Sequence, residues 1–118
     1  MLGEAIKELE KSIEIAGPNS VLLAALGHTY GRAGRTDQAL VLLNQLQTRA
    51  IQQYIPALNH ALIYIGLGIE DEALNWLEKA VDERSSWLVS LKVEPLFDGL
   101  RSRPRFSTLT KRIGLVSK

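Results

Sequence analysis

Apolar residues return every three or four positions along most of the chain, and short clusters containing glycine or proline interrupt them. That pattern predicts helices joined by tight turns. Ala5, Ile6, Leu9, Ile13 and Ile15 share helical spacing, with Glu8, Lys11 and Glu14 on other faces, and Gly17-Pro18 closes the segment. Asn19 or Ser20 offers an N-cap to a second helix carrying Val21, Leu22, Leu23, Leu26 and Tyr30. That helix is apolar over most of its circumference, which places it between layers. Gly31 and Gly34 bracket its end, and Thr36-Asp37 opens a partner helix to about Gln47, with Ala39, Leu42, Leu43 and Leu46 inward.

A second pair is predicted from about Tyr54 through Asp82, broken at Gly66 and Gly68. Glu70, Asp71 and Glu72 put negative charge at the start of its second helix, where the macrodipole favours it, and Ala73, Trp76, Leu77 and Ala80 form the inward stripe. Trp76 and Trp87 are read as packing residues rather than partner anchors. Ser85 or Ser86 is expected to cap a short helix holding Trp87, Leu88, Leu91 and Val93, stopped at Glu94-Pro95. A last helix is expected from Pro104 to just before Gly114, burying Phe106, Leu109 and Ile113.

The two pairs repeat each other. Tyr30, Gly34, Ala39 and Leu43 return 34 residues later as Tyr64, Gly68, Ala73 and Leu77. A period of this length marks stacked helix-turn-helix units, each burying its apolar face against its neighbours. With 118 residues and 46% hydrophobic content, one domain with a packed interior is enough.

Chemistry is sparse. The chain has no cysteine, and its two histidines stand 32 residues apart, so a disulfide framework and a zinc site with local ligand spacing are excluded. The glycines form neither G-x-G-x-x-G nor a G-K-[ST] ending, so no phosphate loop and no cofactor are expected. His28 and His60 lack a motif-linked nucleophile or orienting carboxylate; the first is read as a groove contact, the second as a core residue, and no catalytic or metal-binding residue is assigned. The uncharged stretch from Ile51 to Ile69 contains Gln52, Gln53, Pro56, Asn59 and His60, which suits a buried helix better than a membrane span. The N-terminus lacks the pattern of a secretory signal, so a cytoplasmic setting is expected.

The net charge of +1 conceals an asymmetry: residues 1–84 carry 7 Lys/Arg against 11 Asp/Glu, and residues 85–118 carry 7 against 2. Without aromatic interleaving the basic tail does not favour nucleic acid. Arg101, Arg103, Arg105, Lys111 and Arg112 are instead expected to solvate the last helix and complement acidic faces of the body.

Leu23, Leu26, Gly27, Tyr30, Gly34, Ala39 and Leu43 in one unit, and Ala61, Tyr64, Gly68, Ala73, Leu77 and Ala80 in the next, resemble the tetratricopeptide repeat family. Ala57 and His60 stand where larger apolar residues are usual in that family. The resemblance implies an all-α, right-handed superhelix of antiparallel helix pairs with about seven helices. Its frame divides a single 1–118 domain into a half-repeat helix (1–17), repeats at 20–53 and 54–87, and a partial repeat with C-terminal cap (88–118). Glu83-Arg84-Ser85-Ser86-Trp87-Leu88, Leu91-Lys92-Val93-Glu94-Pro95-Leu96-Phe97-Asp98 and Pro104-Arg105-Phe106 resemble the terminating segment of bacterial repeat proteins. An aspartate usually precedes that last Pro-Arg-Phe and can cap the helix, whereas Arg103 stands there in this chain.

The resemblance implies a non-enzymatic module that binds a protein or peptide in an apolar concave groove. The groove residues would be Val21, Ala24, Ala25, His28 and Arg32 from one helix and Ile55, Leu58, Asn59, Leu62 and Ile65 from the other, with Asn59 or Arg32 setting register. Two alternatives stay open. The groove is shallow, filled by the chain's own C-terminal segment, and binds nothing, or the chain is the regulatory end of a larger bacterial signalling or transcription protein linked to a kinase, cyclase or winged-helix domain. A half-repeat start would leave Ile6, Leu9 and Ile13 uncovered, and self-association into a homodimer is the expected consequence.

Overall fold

The computed structural model describes residues 2–83 and 95–116, and within them the regular elements are all helices, without a strand. Six α-helices follow in order: α1 (Leu2–Ala16), α2 (Ser20–Arg32), α3 (Thr36–Ala50), α4 (Ala57–Leu67), α5 (Glu70–Asp82) and α6 (Pro104–Val116), with a 3-10 helix at Pro95–Leu100 before the last. The short helix expected before Glu94, with Trp87, lies outside the described residues.

Local signals set the helix ends. Asn19 caps α2, its Oδ1 accepting the Leu22 amide at 2.9 Å. Gly34 and Gly68 adopt φ of 79° and 76°, a left-handed geometry that suits glycine. Beyond each, the chain turns back in the same way: Arg35 N–H donates to the Tyr30 carbonyl at 2.9 Å and Ile69 N–H to the Tyr64 carbonyl at 3.0 Å. The 34-residue period therefore sets backbone conformation as well as side-chain identity. The start of α4 is satisfied from another helix. Pro56 provides no side-chain cap, and Glu83, just past α5, accepts the Ala57 amide at 3.0 Å and the Tyr54 hydroxyl at 2.8 Å through Oε1.

The helices pack as two antiparallel pairs, α2 with α3 and α4 with α5, and α2 contacts α4 more extensively than its own partner α3. Buried Leu23, Leu26, Leu42, Leu43 and Leu46 join Tyr30 and Ile63 in one cluster; Leu74, Leu77, Phe97, Phe106 and Leu109 form a second. Leu62 and Tyr64 touch both clusters and join the units. Burying each such aliphatic or aromatic side chain stabilises the fold by about 1.5–3 kcal/mol.

Glycine has a second use at the α2–α4 crossing. Gly31 and Gly66 lie in the last turns of α2 and α4, each one residue before the helix ends, as the sequence pattern predicted. A Cβ on Gly66 would collide with the His28 backbone, and one on Gly27 would meet Ile63 at 2.8 Å. Backbone contact needs the missing side chains.

The basic tail lies along acidic α5. Arg103 pairs with Glu70 at 2.8 Å and Asp71 at 2.5 Å, Arg105 grips Glu78 through Nε at 3.0 Å and Nη2 at 2.9 Å, and Arg112 reaches Asp82 at 2.7 Å. Arg101 sits over the Phe106 ring at 5.8 Å. Three of the five expected cations thus neutralise the body's own carboxylates. Arg103 holds the place of the usual capping aspartate and directs its guanidinium to the start of α5, while its carbonyl accepts the Phe106 amide at 3.0 Å.

Three further sequence expectations change. Ile15 is 78% exposed, because its place on α1 falls outside the face that packs on α2. Helix α3 continues past Gln47 to Ala50, and α6 continues through Gly114 to Val116. Neither extension meets a proline or a left-handed glycine that would end it.

Candidate interaction surfaces

At 100° per residue, Val21, Ala25, His28 and Arg32 fall in one line along α2. The structure leaves Val21 and Arg32 exposed and Ala25 and His28 half-buried. The other expected groove residue of this helix, Ala24, is fully buried and faces the packing between helices.

The equivalent line on α4 is more enclosed. Asn59 is buried and donates through Nδ2 to the Ser20 hydroxyl at 3.1 Å, so its amide ties the start of α2 to α4. Leu58 is buried with Phe97, Leu100 and Phe106, and Leu62 and Ile65 pack against the same cluster half-buried. Ile55 is buried in the other cluster. Leu58 and Ile55, expected to face a ligand, are therefore buried within the two cores. Ala25, His28, Arg32 and Leu62 keep access to solvent, whereas Ala24, Leu58 and Asn59 serve the internal packing.

The N-terminal stripe is covered as well. Ile6 is buried among Leu23, Leu26 and Tyr30, and Leu9 and Ile13 pack half-buried on that cluster. The expectation of a free apolar face at Ile6, Leu9 and Ile13 assumed that a preceding helix would supply their cover. Helix α2 supplies it. Glu10, on the same helix, accepts the Tyr30 hydroxyl at 2.6 Å; burial and this carboxylate push the Tyr30 phenol up to about 12.

The histidines are both withdrawn from solvent, His60 fully and His28 in part. His60 is 2% exposed and stacks on Trp76 with ring centroids 4.1 Å apart, and the Lys79 ammonium lies 4.9 Å from the same indole. Burial, then Lys79, lowers its pKa. Burial, then Arg32, lowers His28 to about 4. His28 Nε2 and His60 Nδ1 are buried with no hydrogen-bond partner among the described residues. Both rings are therefore neutral at pH 7, and no carboxylate orients either for proton transfer. Among the described residues no cluster of three or more His, Cys, Asp or Glu could hold a metal ion, and no helix is long and apolar enough to cross a membrane.

Sequence reasoning missed a second concavity. Between α1 and α3, above α2, lies an open cleft of about 440 Å³ floored by Leu23, Leu26 and Leu42 and flanked by Ile13, Glu10 and Glu14. Leu23 and Leu26 lie on the side of α2 opposite Val21 and Arg32. The helical spacing of Glu10, Ile13 and Glu14 could have pointed to it.

The tetratricopeptide repeat profile matches residues 57–86, which contain α4 and α5. No curated protein and no solved structure matches the chain. The matched pair closes at Gly68, packs Ala73 and Leu77 inward and is preceded 34 residues earlier by a pair of the same build. The α4–α5 pair is thus the part of the chain that matches the tetratricopeptide repeat family.

Proposed function

We propose that the chain is a non-enzymatic protein-interaction module that receives a peptide or helix of a partner along the outer line of α2 and the adjoining part of α4. A tetratricopeptide repeat indicates a protein-interaction module in general. The particular surface is supported by one observation: Val21, Ala25, His28 and Arg32 form a continuous line along α2, with Val21 and Arg32 exposed at its ends and Ala25 and His28 half-buried between them. An apolar contact at Val21 and Ala25 with a directional charge at Arg32 is the chemistry by which a helix or extended segment is held in register. The neutral, unoriented histidines support the non-enzymatic reading.

Peptides selected on the immobilised chain test this proposal by titration against Val21→Asp and Arg32→Glu, both exposed and therefore compatible with folding. Loss of about tenfold or more in affinity, equivalent to about 1.4 kcal/mol, supports the surface. Unchanged affinity in both variants removes it.

A further inference from the structure

We infer that the cleft between α1 and α3 is a second docking site, for a partner segment that presents apolar side chains beside a lysine or arginine. The inference rests on the reading of the chain as an interaction module, but not on the α2 outer line, since the cleft opens on the opposite side of that helix.

Shape and charge converge here. The floor of Leu23, Leu26 and Leu42 with Ile13 at the side is aliphatic, and the cleft's volume of about 440 Å³ is within the range of about 300–1,000 Å³ typical of ligand pockets. Among its lining residues the charged ones are Glu10 and Glu14, both acidic. Glu10 already receives the Tyr30 hydroxyl. Glu14 makes no hydrogen bond or ion pair among the described residues.

The backbone adds to the same field. Glu14 stands in the last turn of α1, which has no basic residue, so a carboxylate sits at the negative end of the helix dipole. This arrangement is unfavourable within the chain alone. A cation placed over the cleft would answer both the carboxylates and the helix end, while aliphatic groups beside it would enter the floor. Four of the five acidic residues of α5 differ in this respect: Glu70, Asp71, Glu78 and Asp82 are already matched by the arginines of the tail.

The probe is a fluorescein-labelled synthetic amphipathic helix of leucine and lysine at heptad spacing. Its comparators are a glutamate-for-lysine version and a scrambled lysine peptide of equal charge without an apolar face. Anisotropy titrations at low salt use the intact chain, a Glu14→Lys/Gln45→Lys variant and an Arg32→Glu variant. Both lysine substitutions fall on exposed positions, and circular dichroism verifies the fold. The inference expects the leucine–lysine peptide to bind at least tenfold more tightly than either comparator. It also expects Glu14→Lys/Gln45→Lys to weaken that binding at least tenfold, and Arg32→Glu to leave it within twofold. No binding up to about 1 mM, equal binding of the scrambled peptide, or an affinity unchanged in the cleft variant each overturns it. Loss confined to Arg32→Glu overturns the cleft while leaving the α2 line standing.

Discussion

Gly31 and Gly66 bring the α2 and α4 backbones into direct contact: a Cβ on Gly31 would stand 2.5 Å from the Gly66 carbonyl carbon and 2.7 Å from the Leu67 amide nitrogen. Backbone atoms cannot turn aside as a side chain can, so alanine at either position must push the two units apart. The helix-propensity gain of about 1 kcal/mol for replacing glycine is smaller than the disruption at such a contact. Gly31→Ala and Gly66→Ala are each expected to destabilise by about 1–3 kcal/mol, measured by urea unfolding. Because one separation relieves both clashes, the double variant should cost less than the sum. Gly3→Ala, which meets nothing within 4 Å, should be neutral or stabilising by up to about 1 kcal/mol.

Glu83 connects the end of α5 to the start of α4 through the Ala57 amide and the Tyr54 hydroxyl. Glu83→Ala should lower stability by about 0.5–2 kcal/mol, the range for loss of a helix cap. Thermal unfolding would check it. A melting point unchanged by Glu83→Ala would mean that solvent serves the α4 start equally well.

The ladder between α5 and α6 should respond to salt. Arg105 and Glu78 are each more than a third exposed, so Arg105→Ala is expected to cost only about 0.2–1 kcal/mol at low ionic strength. The loss should shrink in 1 M salt. Arg103→Asp restores a capping residue but opposes Glu70 and Asp71; it should destabilise at low salt and less so at high salt. Equal effects of Arg103→Asp at both salt concentrations would indicate that capping dominates.

His28 ties stability to pH. Its folded value is lowered from 6.5 to about 4, so between those values the unfolded chain binds the proton first. Its contribution is complete above pH 6.5, falls as the pH drops, and stops changing below about 4. The loss attributable to this residue reaches about 3 kcal/mol across the window. His28→Gln should flatten the profile between pH 5 and 7, where carboxylates contribute least. Stability of the unaltered chain that is level over pH 5–7 would contradict the assignment.

Much of this fold is legible from residue periodicity, and the places where reading failed share a cause. Glycine ends a helix at Gly34 and Gly68 and lets helices touch at Gly31 and Gly66; the letter is the same, and only the three-dimensional crossing separates the two uses. Helical spacing likewise placed Ile6, Leu9 and Ile13 on one face without telling which helix covers them. The candidate groove was less legible than the fold. Asn59 was expected to face a ligand, yet its partner is Ser20, 39 positions away. The cleft went unseen because its walls come from three helices, and neither Leu42 nor Leu23 is unusual in its own segment.

The most direct test of the account is amide chemical-shift mapping of the intact, isotope-labelled chain during titration with a peptide selected on it. The account predicts that shifts gather along Val21, Ala25, His28, Arg32 and Leu62, while amides of the two cores and of the α5–α6 ladder stay in place. A basic amphipathic peptide should instead shift residues around Ile13, Glu14 and Gln45. Shifts confined to the α5–α6 ladder, or spread evenly through both cores, would contradict docking on a preformed surface of the stack.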